Sequence, residues 1–418
     1  AMTVIVAGGG IAGMTMALTC HELAIPVVVH ESVDRLQPLG VGINLQPNAV
    51  RELFDLGLEK QLEEIGVPAK EWALVGRNGN DVWAEPRGRD AGYLWPQYSI
   101  HRGQLQMLLY EEVLKRLGPS AVVTGSRLLG YHSGGDTIQA SFSTPTGNTK
   151  TVEGAVLIGA DGLHSAARKQ MYPNEGPPVW GGPVMWRGTS EGVPIRTGAS
   201  FVLVGTLDQR FVCYPISRPD PLTGFATINW IAEITYDTSQ GWGDSDWNRQ
   251  VPVEKFLAAF QDWAFDWLDI PQLISSAAAV YEYPMVDRDP VDSWVDGRCA
   301  LIGDAAHVMY PVGSNGASQA IVDARVLGAA IRKLGVGVAA LKAYENSMLE
   351  DVNQLVLRNR GAGPIGILGI VEERCGGVFE NIEDVIPREE IEEYMAGYKA
   401  AAGFAIETLN NSPKTVSI

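Results

Sequence analysis

"VIVAGGGIAG" runs from Val4 to Gly13. Its apolar opening shows no alternation, as expected of a strand buried on both faces. It breaks into glycines at positions 8, 10 and 13, and "IAGMTMALTCHELA" at 11–24 then carries apolar residues at helical spacing. In such a unit Gly8 permits the tight turn, Gly10 lets backbone approach a pyrophosphate, and Gly13 lets the helix pack closely on the strand. A second buried strand, "VVVHE" at 27–31, ends on Glu31, 18 residues after Gly13. An acidic side chain there can accept hydrogen bonds from a ribose. The unit predicts a dinucleotide site, against the alternative of a glycine-rich turn in an ordinary α/β protein. It does not distinguish FAD from NAD.

The whole chain sets the class. Its 418 residues allow two domains, and 46% apolar residues with mean hydropathy +0.01 predict a soluble globular protein. A net charge of −17 speaks against a nucleic-acid partner and reads as a solvated surface. No apolar run reaches membrane-spanning length; "GPIGILGIV" at 363–371 is far too short. Cys20, Cys213, Cys299 and Cys375 are scattered without a CxxC, and the six histidines form no HExxH or HxH. Reduced thiols, no metal site and a cytoplasmic location are therefore expected. Ala1 before Met2 reads as a cloning scar, and no signal peptide is expected because the apolar opening reads as a strand.

A later segment narrows the cofactor. "RCALIGDAAHVMYPVGSNGASQAIVDARVLGAAI" begins at Arg298. "CALIG" reads as another buried strand, which puts Asp304 at its carboxyl end, the ligand-facing edge of a parallel sheet. Pro311 to Gly316 then forms a glycine-rich turn before a long helix. The first N–H groups of that helix, with its dipole, would face negative charge. A reduced flavin is anionic at its pyrimidine ring, so the turn suits a flavin. An enzyme using NAD alone has no need of this second, distant segment.

These segments carry a resemblance. "GGGIAG" at 8–13, "GADGLHSAAR" at 159–168 and "LIGDAAHVMYPVGSNGASQAIVDA" at 301–324 resemble, in order, three motifs of the class A flavoprotein monooxygenases, the aromatic hydroxylases. The resemblance covers roughly residues 2–360 and includes "HRGQLQ" at 101–106, where the family places an arginine near FAD. Outside the cofactor motifs, "PLGVGINLQPNAV", "YSIHRGQLQM", "MWRGTS" and "YPMVDRDP" resemble the phenazine monooxygenase (5-methylphenazine-1-carboxylate hydroxylase) branch. The family often carries an arginine just before "PLG"; here Gln37 holds that place and the arginine is Arg35.

The resemblance implies an α/β fold with a Rossmann-like FAD-binding domain, a sheet-plus-helix substrate domain and C-terminal helices. Their expected bounds are 2–71, 100–177 and 284–360 for the first, 72–99 and 178–283 for the second, and 361–418 for a helical tail. Within the second, "WALVGRNGNDVWAE" at 72–85 predicts a hairpin around Asn78-Gly79. Strands are expected in "PVMWRGT", "SFVLVGTLDQRFVCYPIS" and "GFATINWIAEIT", and a helix in "DWNRQVPVEKFLAAFQDW" at 246–263.

For activity the resemblance implies that NADH or NADPH, bound transiently, reduces a tightly held FAD. Molecular oxygen then gives a flavin C4a-hydroperoxide that hydroxylates a planar, electron-rich, phenazine-like ring. Such a site needs to bind flavin, exclude water and aim the ring, and it needs no nucleophile. Accordingly no acid or base is assigned. Candidate cofactor-binding residues are Gly8, Gly10, Gly13, Glu31, Arg35, Arg102, Asp161, Asp304, Pro311, Gly313, Asn315 and Gly316. Asp304 reads otherwise as a cap, Asp161 as part of a structural Asp-Gly turn, and Arg168 as a brace of that turn or a ligand contact. His307 reads as hydrogen-bonded scaffold. Trp186, Tyr214 and Trp230 are candidates for the substrate pocket, against sheet core. Two other readings stay open: the same chemistry on a salicylate-, nicotinate- or urate-like ring, and a flavin-containing protein that sequesters an aromatic compound without turnover. The small aromatic substrate and oxygen are the expected partners, with no nucleic acid and no membrane span; a homodimer is left open.

Overall fold

The computed structural model describes residues 3–242, 248–313 and 315–418. Val4–Ala7 is a fully buried strand in the middle of a six-stranded sheet. The sheet runs, from one edge to the other, Val295–Asp296, Cys299–Leu301, Val156–Gly159, Val4–Ala7, Val27–His30 and Val122–Val123. All neighbours are parallel except the first pair. Parallel order puts the carboxyl ends of the other five strands on one edge, so the chain leaves Ala7, Gly159 and Leu301 at a common site. Helices Ile11–Glu22 and Gly316–Leu334 pack against each other there. A Cβ on Gly328 would lie 2.2 Å from Thr19 Cγ2, so that helix crossing needs a glycine.

An eight-stranded sheet stands opposite. Its order is Arg249–Gln250, Tyr281–Asp287, Val179–Gly192, Ala226–Thr235, Gln209–Pro215, Ser200–Gly205, Glu71–Gly76 and Asp81–Pro86. Only Ser200–Gly205 and Glu71–Gly76 pair in parallel. The chain turns through Asn78-Gly79 between the last two strands, as the sequence predicts. Strand alternation gives the sheet two different faces. Trp186, Phe211 and Trp230 point to one of them and pack on Phe256, Phe260 and Trp263. The other face looks towards the six-stranded sheet.

The helix expected over 246–263 does not form across its described residues. Arg249–Gln250 is a short edge strand, followed by single turns at Val253–Lys255 and Leu257–Phe260. Pro252 explains the break: it donates no backbone hydrogen bond and holds its predecessor in extended conformation. Asp246 and Trp247, at the start of that expected helix, lie outside the described residues.

The C-terminal segment is helical at Ile367–Cys375 and Arg388–Asn411. Ile367, Leu368, Val371, Ile391 and Met395 cover Leu74, Val82 and Leu203 of the large sheet. The segment then reaches the first sheet's domain, where Thr415 Oγ1 donates to Glu52 Oε2 at 2.8 Å. Among the described residues no helix is long and apolar enough to cross a membrane.

Candidate active site

A cleft of about 710 Å³ lies between the carboxyl edge of the small sheet and the inner face of the large one. The glycine turn forms part of its wall. Gly8 has φ +107°, and a Cβ there would lie 2.0 Å from the Ala160 carbonyl oxygen; one on Gly13 would lie 1.8 Å from the Gly8 oxygen. Those two glycines are demanded by chain packing. At Gly10 a Cβ would meet nothing within 4 Å, and this residue opens on the cleft. Gly10 is also the N-cap of Ile11–Glu22, and no side chain caps that helix. Asn315 caps Gly316–Leu334 equally without a side-chain bond, and Asn315, Gly316 and Ala317 line the same cleft. Two positive helix ends with uncapped N–H groups thus share one cavity.

Glu31 is buried behind the glycine turn. Its Oε1 accepts from Gly9 N at 3.0 Å and its Oε2 from Val33 N at 2.6 Å. Arg102 begins helix Arg102–Leu117 and is exposed on the cleft wall. Arg35 is exposed on the following loop, and the structure does not bring it to the cleft. Asp161 is turned inward: it accepts from Ser165 Oγ, from Ala166 N at 2.8 Å and from Ala167 N at 3.4 Å, at the start of helix Ala166–Met171. Burial pushes its pKa up against those hydrogen bonds. Its neighbour Gly162, not Asp161 itself, faces the cleft.

Asp304 is exposed at the cleft, one residue after Gly303 at φ +64°. The turn that presents it is held from behind. Asp323, fully buried, accepts from Gly303 N at 2.8 Å, from Gln319 Nε2 at 2.9 Å and from His307 Nε2. Burial opposes the His307 cation, but the Asp323 carboxylate outweighs it and the imidazole pKa is raised. His307 is therefore scaffold. Arg168 is scaffold as well: it is buried and ion-paired with Glu175, with Nε–Oε1 3.0 Å. The sequence reading missed Asp323; its signal was an acid on the inward face of an apolar helix, where burial demands donors. Pro311 and Gly313 also line the cleft, and Ser314 lies outside the described residues.

On the large sheet the structure brings Tyr214 to the cleft but not Trp186 or Trp230. Tyr214 stands opposite Asn229, so Trp230, one residue on, must face away. Trp230 Nε1 donates to Ser190 Oγ at 3.0 Å, and Trp186 Nε1 to Glu282 Oε1 at 3.1 Å, while Trp186 stacks on Phe256 at 4.6 Å. Both are core. The cleft instead receives Arg187, Arg210, Glu233 and Asn44, none of which the sequence reading singled out. Arg210 Nε donates to Glu233 Oε2 at 2.8 Å. Among the described residues no group of three or more His, Cys, Asp or Glu side chains could hold a metal.

Comparisons with known proteins agree with this architecture. Residues 1–177 and 276–358 match the family described as FAD binding domain. The chain is 40% identical over 361 residues to phenazine 1,6-dicarboxylic acid hydroxylase PhzS of Lysobacter antibioticus, covering 85% of this chain and 89% of that protein. It is 31% identical to the aurachin C monooxygenase/isomerase of Stigmatella aurantiaca, over 87% of this chain and 90% of that one. The crystal structure of Klebsiella pneumoniae HpxO complexed with FAD and uric acid superposes with a TM-score of 0.74 at 23% identity, over 97% of each chain. A glycine cradle open at Gly10, two uncapped helix ends on one cleft and a family match across both halves of the small sheet's domain lead to one conclusion: this chain belongs to the FAD-binding family of flavin-dependent aromatic hydroxylases.

Proposed function

We propose that the chain hydroxylates a planar aromatic or heteroaromatic compound of phenazine-like shape, taking electrons from NADH or NADPH and one oxygen atom from molecular oxygen. The observation that carries this reading is the continuity of the cleft. One cavity joins the two helix N-termini to the inner face of the large sheet, where Met185, Val212, Ile231 and Met285 offer apolar wall and Phe201 and Tyr214 offer rings. The similarity to a protein named for a phenazine substrate supports the ring class.

When bound, FAD supplies the redox chemistry and the activation of oxygen. The chain's own residues do the rest. Gly10 and the first turn of its helix would hold the pyrophosphate, with Gly8 and Gly13 shaping the turn. Glu31, oriented by Gly9 and Val33, would take the ribose. Arg102 and Asp304 would bind the middle of the cofactor, and Pro311, Gly313, Asn315 and Gly316 would cradle its ring end. Asp161 would act through the turn it caps, by placing Gly162. Pro364, Ile365, Ala405 and Leu409 close the cavity from the C-terminal side and keep water from the reacting ring.

The test has two parts. Cofactor released by heat should co-migrate with FAD and not with FMN. Oxidation of NADH and NADPH is then followed against phenazine-, salicylate-, nicotinate- and urate-like rings, with product mass under isotopically labelled oxygen. Stimulated oxidation with one labelled oxygen in a phenazine-like product is the expected result. Labelled product only from a non-phenazine ring would move the substrate assignment, and ligand binding without any oxidation would overturn catalysis.

A further inference from the structure

The C-terminal helix Arg388–Asn411 is long, yet of its 24 residues only Ile391 and Met395 are buried. These two fasten its start to the large sheet. From Ala396 to Ala405 every residue is exposed. A Cβ on Gly397 or Gly403 would meet nothing within 4 Å, so packing demands neither glycine, and both weaken the helix between its ends. The far end is fastened again, to the small sheet's domain. Arg51, 4% exposed, donates to the Leu409 carbonyl at 3.5 Å and to the Pro413 carbonyl, and its Cζ lies 5.4 Å from the Trp95 ring centroid. Val416 is buried just beyond. The helix is a strap tied at both ends and loose between them, with Ala405 and Leu409 in the cleft wall.

One side chain joins the strap to the opposite rim. Asn410 Nδ2 donates to the Gly92 carbonyl at 2.8 Å, and its Oδ1 accepts from Leu94 N at 3.0 Å. These are the backbone groups on either side of Tyr93, and Tyr93 lines the cleft while Asn410 does not. Both bonds lie at the surface, where water competes for the same groups, so each is weak and opens readily. Leu94 is 59% exposed and Phe404 72% exposed, so apolar side chains stand outside this rim as well as inside. The exposed cleft residues Arg102 and Asp304 are charged and suit the cofactor. A rim that parts easily and is apolar on both sides suits a flat ring.

We propose that the aromatic substrate enters and leaves between Tyr93 and Leu409, and that Asn410 is the positioning residue that latches this portal. This rests on the hydroxylase reading above and adds the route to its site. The latch grips backbone and does not line the cleft, so its strength is the same with the ring bound or free. Loosening it raises the association and dissociation rates by one common factor and leaves the dissociation constant unchanged.

The test mixes oxidised holoenzyme with phenazine-1-carboxylate or salicylate in a stopped-flow cell and follows the visible absorbance of the bound flavin. NADH and NADPH oxidation is measured with both rings. Losing two surface hydrogen bonds in Asn410→Leu predicts association and dissociation each about 5- to 30-fold faster, with FAD occupancy and melting temperature little changed. A second variant closes the portal. A Cβ on Gly92 would lie 3.6 Å from Ile406 Cγ2, so Gly92→Cys with Ile406→Cys lies within reach of a disulfide. The strain of a cysteine at φ +110° is present in both redox forms, so the reduced form is its own control. Oxidation, verified by mass, should slow both rates and reduction should restore them, while the unmodified protein responds to neither. Equal rates in the two redox forms overturn the portal. So does an Asn410→Leu variant that weakens binding through dissociation alone, which would make Tyr93 a contact of the ring, or one that loses FAD, which would assign the strap to the cofactor. Rings that bind and are turned over at unchanged rates in both variants defeat this inference alone; rings that neither perturb the flavin nor stimulate oxidation defeat the hydroxylase reading with it.

Discussion

Arg168 Nη1 donates to the Ala306 carbonyl at 2.8 Å and to the Ala305 carbonyl at 3.2 Å. The arginine that ends "GADGLHSAAR" thus holds the last turn of the short helix Asp304–His307. Two segments more than a hundred residues apart in the chain are one mechanical unit. Arg168→Met should leave Glu175 with Arg288 alone, at 3.6 Å, and free three backbone carbonyls, at a cost of about 1.5–3 kcal/mol. Urea unfolding with and without added FAD measures it. A loss below 1 kcal/mol would mean that solvent replaces the arginine easily.

Asp304→Ala removes an acceptor at the cleft without touching the Asp323 brace behind it. A charge-assisted hydrogen bond is worth about 1.5–3 kcal/mol, so FAD affinity should fall about 10- to 150-fold. Titration of apoprotein with FAD reads this directly. An unchanged dissociation constant would place Asp304 away from the cofactor.

The glycine turn separates folding from binding. Gly10→Val adds carbon into open space at φ −79°, so the apoprotein should melt as before. Its FAD affinity should drop by at least about tenfold, which is about 1.4 kcal/mol. Gly13→Ala drives a methyl to 1.8 Å from the Gly8 oxygen and should cost the apoprotein about 1–3 kcal/mol or more. Comparable melting losses in both variants would contradict this division.

His30 gives a pH signature. It stacks on Phe142 at 4.1 Å, and its Nε2 is buried without a partner. Burial, aided by Lys150, lowers its pKa to about 4. The unfolded imidazole titrates near 6.5, so between the two values the unfolded chain binds the extra proton. Stability from this group is complete above pH 6.5 and is lost as the pH falls towards 4, by about 3 kcal/mol in all. Relative to His30→Gln, the protein should therefore lose about 2 kcal/mol between pH 7 and pH 5. A gap independent of pH would show that the ring titrates normally.

Much of the small sheet was legible because its signals are local. The strand, turn and helix of residues 4–22, and the strand with its glycine turn from 299 to 316, each declare themselves within a few turns of chain. The large sheet was not legible in the same way. Aromatic content marks Trp186, Tyr214 and Trp230 as buried, but which face each takes depends on register between strands. Tyr214 opposite Asn229, and Arg187 opposite Ile231, are facts of pairing across long connections. A shift of one residue would have reversed every assignment. Arg187 escaped notice for a related reason: in the sequence it is one arginine among many, and only the absence of an acid across the strands sets it apart. Pro252 was passed over in a segment expected to be helical, although its missing N–H is a local signal and explains the turns found there.

The position of Ala405 and Leu409 in the cleft wall bears on how the protein is made. On the ribosome, the first strand, Val4–Ala7, emerges long before its neighbour-but-one, Cys299–Leu301, and both precede the helix that supplies the last wall. Contacts so distant along the chain form late. The nascent polypeptide therefore lacks this part of the cleft wall until residue 409 has left the exit tunnel. A C-terminal fusion that holds this helix away should leave the cleft open on that side, read as more peroxide formed per NADH or NADPH oxidised.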